Sequence, residues 1–360
     1  MKNHNCKKNV LIIVSGRSGT VGGPRVSSNR IVNSGLAKKY NFSLLEVPRL
    51  RRLIMPKSIY TTMKKINEFR PDLIQVNGLQ LDGFIITVLM RIIAGNKILL
   101  AIRGSSNEAI YYSKLLKSMT RPLEILTIIL SYKVFTNSRY TFNWDIIKRY
   151  AKNKLYGIIY NMPPEIVNVG RYFRKEMGLT DSDILIVSSG RITRDKGFHI
   201  LMNVITEIGY YENVKYIIVG EGEYLANIRK MIIDKKIKNI ICTGHRNDII
   251  QILLESNIFV LCSLHETLCN SVMEASYVGL PVVSSKVGGI PEIISHGENG
   301  YLVENNSIDE YKKYLDILIN DMETRERLSD NAIRISRSRF SKDKIEEKLD
   351  ELYQDCFRKK

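Results

Sequence analysis

Short apolar runs recur along the first half of the chain, at 10–14, 43–47, 73–76, 97–102, 133–136 and 156–160, with helix-length segments between them. Strands covered on both faces read as near-continuous apolar stretches rather than as an in–out alternation, so the pattern predicts a parallel sheet flanked by helices. A second series follows at 184–189, 215–220, 239–243, 258–261 and 281–284. The expectation is therefore an α/β chain of two Rossmann-like doubly wound domains in tandem. Asn161-Met162-Pro163-Pro164 and the polar segment to about 180 make the best linker, because proline excludes helix and biases its predecessor to extended backbone. Domains are expected at 1–165 and 166–340, followed by a terminal helix over 341–360 with an apolar stripe at Ile345, Leu349, Leu352 and Phe357. Open parallel sheets bind ligands at the carboxyl ends of their strands, so two such sheets facing each other would share one cleft.

Composition and charge narrow the function classes. With 360 residues, 44% hydrophobic and 25% charged, the chain can fill two ordinary cores. Five cysteines, Cys6, Cys242, Cys262, Cys269 and Cys356, form no C-x-x-C pair and read as reduced thiols, with no zinc expected. The N-terminus runs directly into a strand too short for a signal segment. The apolar stretch from Phe84 is interrupted by Arg91 and falls short of the roughly 20 residues needed to span a bilayer. The net charge of +17 is one-sided: residues 1–165 hold 27 Lys and Arg against 8 Asp and Glu, residues 166–360 hold 27 against 29. Such a field attracts polyanions. Arg49, Arg51 and Arg52, interleaved with Leu50, Leu53, Ile54 and Met55, suit a surface resting on anionic lipid headgroups. Nucleic acid is not expected as a partner, because a single Trp and no recognisable binding module accompany the charge.

The chemistry concentrates in the second half. HETLCNSVMEASYVGLPVVSSKVGGIPE places Glu266 in a loop before a helix and Glu274 one turn inside it, followed by a strand and a Gly288-Gly289 loop. A loop, a helix N-terminus and a buried strand in that order seat an anion, because backbone N–H groups and the helix dipole both favour negative charge. Upstream, SSGRITRDKGF sets Arg191 and Lys196 at the end of a strand, where two cations can neutralise a diphosphate. Gly22 and Gly23 lie between the first strand and a helix and could bring backbone close to a phosphate or acceptor. Asp181-Ser182-Asp183 spells D-x-D, but it sits in a polar loop ahead of a strand and is not expected to bind metal.

The motifs E-x7-E at Glu266 and Glu274, G-x-P-V-V at Gly279–Val283 and G-G-x-x-E at Gly288–Glu292 resemble the donor-site signature of glycosyltransferase family 4. The resemblance covers about residues 10–335 and is strong over 184–300. It implies the GT-B fold, two Rossmann-like domains facing across a cleft, with a C-terminal helix crossing back to the first domain. It implies transfer of a sugar with retention of configuration. By that resemblance Glu266 meets the transferred sugar, Glu274 the ribose hydroxyls, and the backbone of Thr267, Leu268, Cys269 and Asn270 the phosphates. Arg191 and Lys196 hold the pyrophosphate, and His245 and Arg246 lie near the base. The chain departs from the family where a histidine often follows the fourth strand: here it reads LLAIRGSSNE, and Arg103 cannot serve as a general base. Either Arg103 stabilises a donor phosphate or acceptor anion, or the histidine-dependent chemistry does not apply; Ser105, Ser106, Asn107 and Glu108 are alternative acceptor contacts. Asn137, Ser138 and Asn161 are similar to cleft-lining positions.

The expected activity is transfer from a nucleotide-diphosphate sugar, UDP before GDP-mannose, to a lipid-linked or oligosaccharide acceptor such as a polyprenyl diphosphate in surface-polysaccharide synthesis. No metal or other cofactor is expected, since Arg191 and Lys196 would do the work of a cation. The expected location is cytoplasmic, peripheral on the inner membrane face. A sugar-nucleotide epimerase of the same architecture and a non-catalytic nucleotide-sugar binding protein are the alternatives.

Overall fold

The computed structural model describes residues 7–16, 22–48, 55–93, 95–106, 108, 113–167, 170 and 172–358. The chain divides into two compact units, one made of residues 1–162 with 342–360 and the other of residues 163–341.

The first unit is built on a six-stranded parallel sheet: β1 (Lys8–Gly16), β2 (Tyr40–Pro48), β3 (Leu73–Leu79), β4 (Ile98–Ser105), β5 (Lys133–Thr136) and β6 (Leu155–Ile158), in the order β2-β1-β3-β4-β5-β6. Val10 of β1 pairs with Phe42 on one side and Leu73 on the other. Ile98 to Ile102 of β4 are all 0% exposed, which is what a strand covered on both faces requires. The helices Pro56–Phe69, Leu81–Val88 and Lys114–Leu130 each carry the chain in the same direction along the sheet. Right-handed crossovers therefore put them on one face, and the helix Gly23–Val32, which leads from β1 back to β2, on the other.

The helix Lys342–Phe357 belongs to this first unit. Ile345, Leu349 and Leu352 of its apolar stripe are buried and Phe357 is half-buried, and polar contacts fix its register: Tyr353 donates to Gln75 Oε1 at 2.9 Å, and Asp350 accepts from Lys39 Nζ at 2.5 Å and from the Tyr40 hydroxyl at 2.6 Å. Tyr40 and Tyr353 meet edge to face at 5.3 Å.

The second unit repeats the plan with β7 (Ile184–Ser189), β8 (Val214–Val219), β9 (Ile240–Gly244), β10 (Ile258–Leu261), β11 (Val282–Ser285) and β12 (Gly300–Val303), all parallel, in the order β12-β11-β10-β7-β8-β9. The edge strand β12 is absent from the sequence expectation. Four residues beginning with glycine give too short an apolar run to register, although the preceding His296-Gly297-Glu298-Asn299 is turn-forming. Among the described residues Cys242, Cys262, Cys269 and Cys356 are free thiols, and no helix is long and apolar enough to cross a membrane.

Candidate functional site

Three segments meet at the carboxyl ends of β7 and β10 in the second unit. After β7 the chain passes Gly190 and Arg191 into a 3-10 turn, Arg194–Lys196, closed by Gly197 ahead of the helix Phe198–Ile208. Gly197 has φ +70°, and a Cβ there would lie 1.7 Å from the Cys262 carbonyl oxygen. Only glycine lets this turn press against the end of β10. Leu264 N donates to the Asp195 carbonyl at 2.9 Å, which ties the two loops together.

That contact delivers Lys196 to Glu266. Lys196 Nζ donates to Glu266 Oε1 at 2.6 Å, and Ser263 Oγ donates to the same oxygen at 2.9 Å. Ser263 is fully buried, and its carbonyl accepts from Ser285 Oγ, at the end of β11, at 2.6 Å. Burial works against the Lys196 ammonium, but the Glu266 carboxylate outweighs it and the pKa ends above the ordinary lysine value. Arg191, exposed at the turn, pulls the other way, so a second positive charge is felt at the same spot. Burial, with Glu266 next, pushes the neighbouring Cys269 thiol up to about 12, so it stands there as a neutral group.

Glu266 leads through Thr267, Leu268 and Cys269 into the helix Asn270–Val278. Leu268 and Cys269 are buried, and Cys269, at the N-cap, gives no side-chain cap. The helix start therefore carries its dipole's positive end beside the Lys196–Glu266 pair without a capping carboxylate or hydroxyl from that position. Glu274 lies one turn inside the helix and is 7% exposed. Gly288, at φ +55°, would place a Cβ 1.5 Å from the Glu266 carbonyl oxygen, and one on Gly289 would lie 2.3 Å from that of Thr267. The second glycine loop thus lies flat on the backbone that presents Glu266.

The remaining candidates are more dispersed. Arg246, just after β9, is held by two carboxylates: its Nη1 and Nη2 donate to Glu176 at 2.7 and 2.8 Å, and its Nε and Nη2 to Asp248 at 2.9 and 2.7 Å. The hydrogen bonds from Arg246, outweighing burial, lower the Asp248 carboxyl to about 2. Where the resemblance implies a contact near a base, this guanidinium is committed as a pin between the helix Phe173–Glu176 and the loop. His245 is exposed, with Nε2 3.2 Å from Asn247 Oδ1. The D-x-D loop closes on itself, Asp183 accepting from Thr180 N at 2.7 Å and Thr180 Oγ1 at 2.8 Å.

In the first unit, Gly22 is the N-cap of the helix Gly23–Val32, in extended conformation, and its carbonyl accepts from Arg25 N and Val26 N at 3.0 and 3.1 Å. A Cβ on Gly22 would come no nearer than 3.9 Å to its surroundings, so packing does not demand glycine there. Residues 17–21 of that loop, Arg49 to Ile54 and Asn107 lie outside the described residues; Met55 is 54% exposed. Arg103, near the end of β4, donates from Nη1 to Asn161 Oδ1 at 2.7 Å. Burial brings its pKa down to about 10, with Tyr353 acting in the opposite sense, and it stays a cation at neutral pH. Ser105 Oγ and Ser106 N both donate to the buried Glu124, at 2.7 and 2.8 Å, while Glu108 accepts from the Tyr140 hydroxyl at 3.0 Å. Ser138 caps the next short helix through Thr141 N at 3.1 Å; Asn137 is equally buried.

Sequence reasoning missed Ser263 and Ser285. The signal was S-x-x-E directly after a buried strand, a spacing at which a hydroxyl reaches a carboxylate in the same loop. Ser263→Ala is expected to lower stability by about 1–3 kcal/mol, because Glu266 loses one donor to a buried charge. Urea unfolding measures it, and an unchanged midpoint would show that the bond contributes nothing.

The sequence profile of the family described as Glycosyl transferases group 1 matches residues 171–335. The chain is 25% identical over 210 residues to N-acetyl-alpha-D-glucosaminyl L-malate synthase of Bacillus anthracis, covering 57% of this chain and 55% of that protein. It is 30% identical over 150 residues to UDP-Gal:alpha-D-GlcNAc-diphosphoundecaprenol alpha-1,3-galactosyltransferase of Escherichia coli, covering 40% of this chain and 39% of that one. The chain spans about half the length of the curated relatives it matches. Among solved structures, Anabaena HepE in complex with UDP-glucose superposes with a TM-score of 0.78 at 18% identity, over 96% of this chain and 99% of that one. That likeness shows the fold, two parallel-sheet α/β units of the GT-B class. The match to the group 1 glycosyltransferase profile falls within the second unit, in which Lys196, Glu266 and the start of the Asn270–Val278 helix come together.

Proposed function

We propose that the chain is a glycosyltransferase that moves a sugar from a UDP-sugar to an anionic acceptor with retention of configuration. The observation that carries this is the Lys196–Glu266 pair at 2.6 Å, set at a helix start with Arg191 beside it. An activated sugar brings both halves of what that cluster complements: a diphosphate for the cations and the helix dipole, and hydroxyls for the carboxylate. As the anomeric C–O bond breaks, its electron pair goes to the departing diphosphate. Preorganised positive charge there stabilises the transition state, so no metal ion is needed in this scheme. The acceptor hydroxyl attacks from the face the nucleotide leaves, which retains configuration, and its proton passes to the released diphosphate. Glu274 is proposed to hold the ribose hydroxyls and the Thr267–Asn270 backbone the phosphates.

UDP is favoured over GDP because HepE holds UDP-glucose and the Escherichia coli relative is named for UDP-Gal. The first unit is proposed to bind the acceptor, with Arg103 as a cation for its anionic group. A polyprenyl-diphosphate-linked acceptor for a surface polysaccharide suits a basic unit resting on the cytoplasmic face of the membrane, and the Escherichia coli relative is named for such an acceptor.

A thermal-shift panel of nucleotide sugars tests the donor. A UDP-sugar at a hundred times its dissociation constant should stabilise the native state by about 2.7 kcal/mol, a rise of several degrees in melting temperature. No shift with any nucleotide sugar would overturn the proposal.

A further inference from the structure

The helix Lys114–Leu130 turns an apolar face outward. Its buried side is Thr120, Glu124, Thr127 and Ile128, three of them polar. Leu115, Met119, Leu126 and Ile129 are 72, 64, 40 and 49% exposed, and Pro122 between them is exposed as well. Positions 115, 119, 122, 126 and 129 alternate spacings of four and three, which at about 100° per residue gathers them into a sector of about 80°. An ordinary surface helix hides such a stripe and shows its polar residues, so a contiguous outward stripe marks a docking surface. Cations border it: Lys114 stands at its start, and Lys117 and Arg121 line a shallow groove with Pro122, Ile125, Leu126 and Ile129.

Charge selects the occupant. The first unit carries 33 Lys and Arg against 13 Asp and Glu, so a second copy docking through the same unit would bring like charge against like charge. An anionic bilayer offers both acyl chains for the stripe and phosphates for the bordering lysines and arginine, the pairing that holds an amphipathic helix in the plane of an interface. We propose that the Lys114–Leu130 helix is the element by which the first unit docks on an anionic lipid surface. This rests on the membrane-presented acceptor proposed above and names the surface that meets the membrane.

Cosedimentation of the full chain with phosphatidylcholine vesicles, alone or mixed with phosphatidylglycerol, tests it. The chain should sediment with the mixed vesicles, and salt should release part of it. The triple variant Leu115→Gln, Met119→Gln, Ile129→Gln should lose binding by about tenfold or more, since it removes three exposed apolar side chains from the contact. Its melting temperature and donor-induced thermal shift should be those of the wild type, because all three positions face solvent. Equal sedimentation of variant and wild type would overturn the assignment of this helix while leaving membrane binding intact. Failure of the wild type to sediment with mixed vesicles would overturn the docking and the membrane part of the proposed function, yet leave donor binding untouched. Self-association in light scattering that the triple variant abolishes would overturn lipid in favour of a second copy.

Discussion

Lys196→Ala is expected to lower turnover by about two to three orders of magnitude, the range seen when one preorganised charge is removed from a transition state. The substitution also costs stability, and the two effects must be separated. Glu266 is 8% exposed, and its Oε1 takes its donors from Lys196 and Ser263. Deleting the ammonium leaves a buried carboxylate with one neutral donor at that oxygen, and breaking such a pair typically costs about 3–5 kcal/mol. A double variant, Lys196→Met with Glu266→Gln, removes the orphan charge. It should recover most of the stability while turnover stays low, because neither neutral group offsets charge on a departing diphosphate. Arg191→Ala provides the contrast: its side chain is exposed, so turnover should fall by about tenfold or more with little change in melting temperature. Steady-state turnover with the best donor, alongside urea unfolding, reads both quantities. Turnover in Lys196→Ala matching the wild type would remove the lysine from the chemistry.

Much of this was legible in the chain. Eleven of the twelve strands coincide with apolar runs, because strands covered on both faces need continuous apolar sequence, and this one requirement leaves a visible mark. The twelfth, β12, sits at a sheet edge with only four residues, where the requirement is weakest. The candidate site residues were legible as types rather than as contacts. Arg191, Lys196, Glu266 and Glu274 stand where strand ends and a helix start predict them, but nothing in the sequence announces that Lys196 and Glu266, 70 positions apart, share a hydrogen bond. That contact depends on Gly197 lying against the Cys262 carbonyl, a packing event between two loops. Arg246 shows the converse: its position past β9 is visible in sequence, whereas its two carboxylate partners come from the Phe173–Glu176 helix and its own loop. Gly22 and Gly288 look alike in sequence, yet a Cβ on one would meet only an ordinary contact at 3.9 Å and on the other a carbonyl oxygen at 1.5 Å.

Gly288→Ala is expected to disable the site by a route no side-chain inventory reveals. Two costs add. At φ +55° an alanine pays roughly 1–2 kcal/mol of backbone strain. Its methyl would also lie 1.5 Å from the Glu266 carbonyl oxygen, far inside any tolerable contact, and the obstacle is backbone rather than the movable end of a side chain. Relief requires the Gly288 loop or the Glu266 segment to withdraw, and the latter draws the carboxylate from Lys196 and Ser263. Gly297→Ala separates the two costs: it has φ +80° and nothing within 4 Å of its Cβ position, so it carries the strain alone. Gly297→Ala should lose about 1–2 kcal/mol in urea unfolding and keep its thermal shift with a nucleotide sugar, whereas Gly288→Ala should lose clearly more and show no shift. If the two variants behave alike, the loops around Glu266 relax independently, and the glycine pair is not what holds the carboxylate against its lysine.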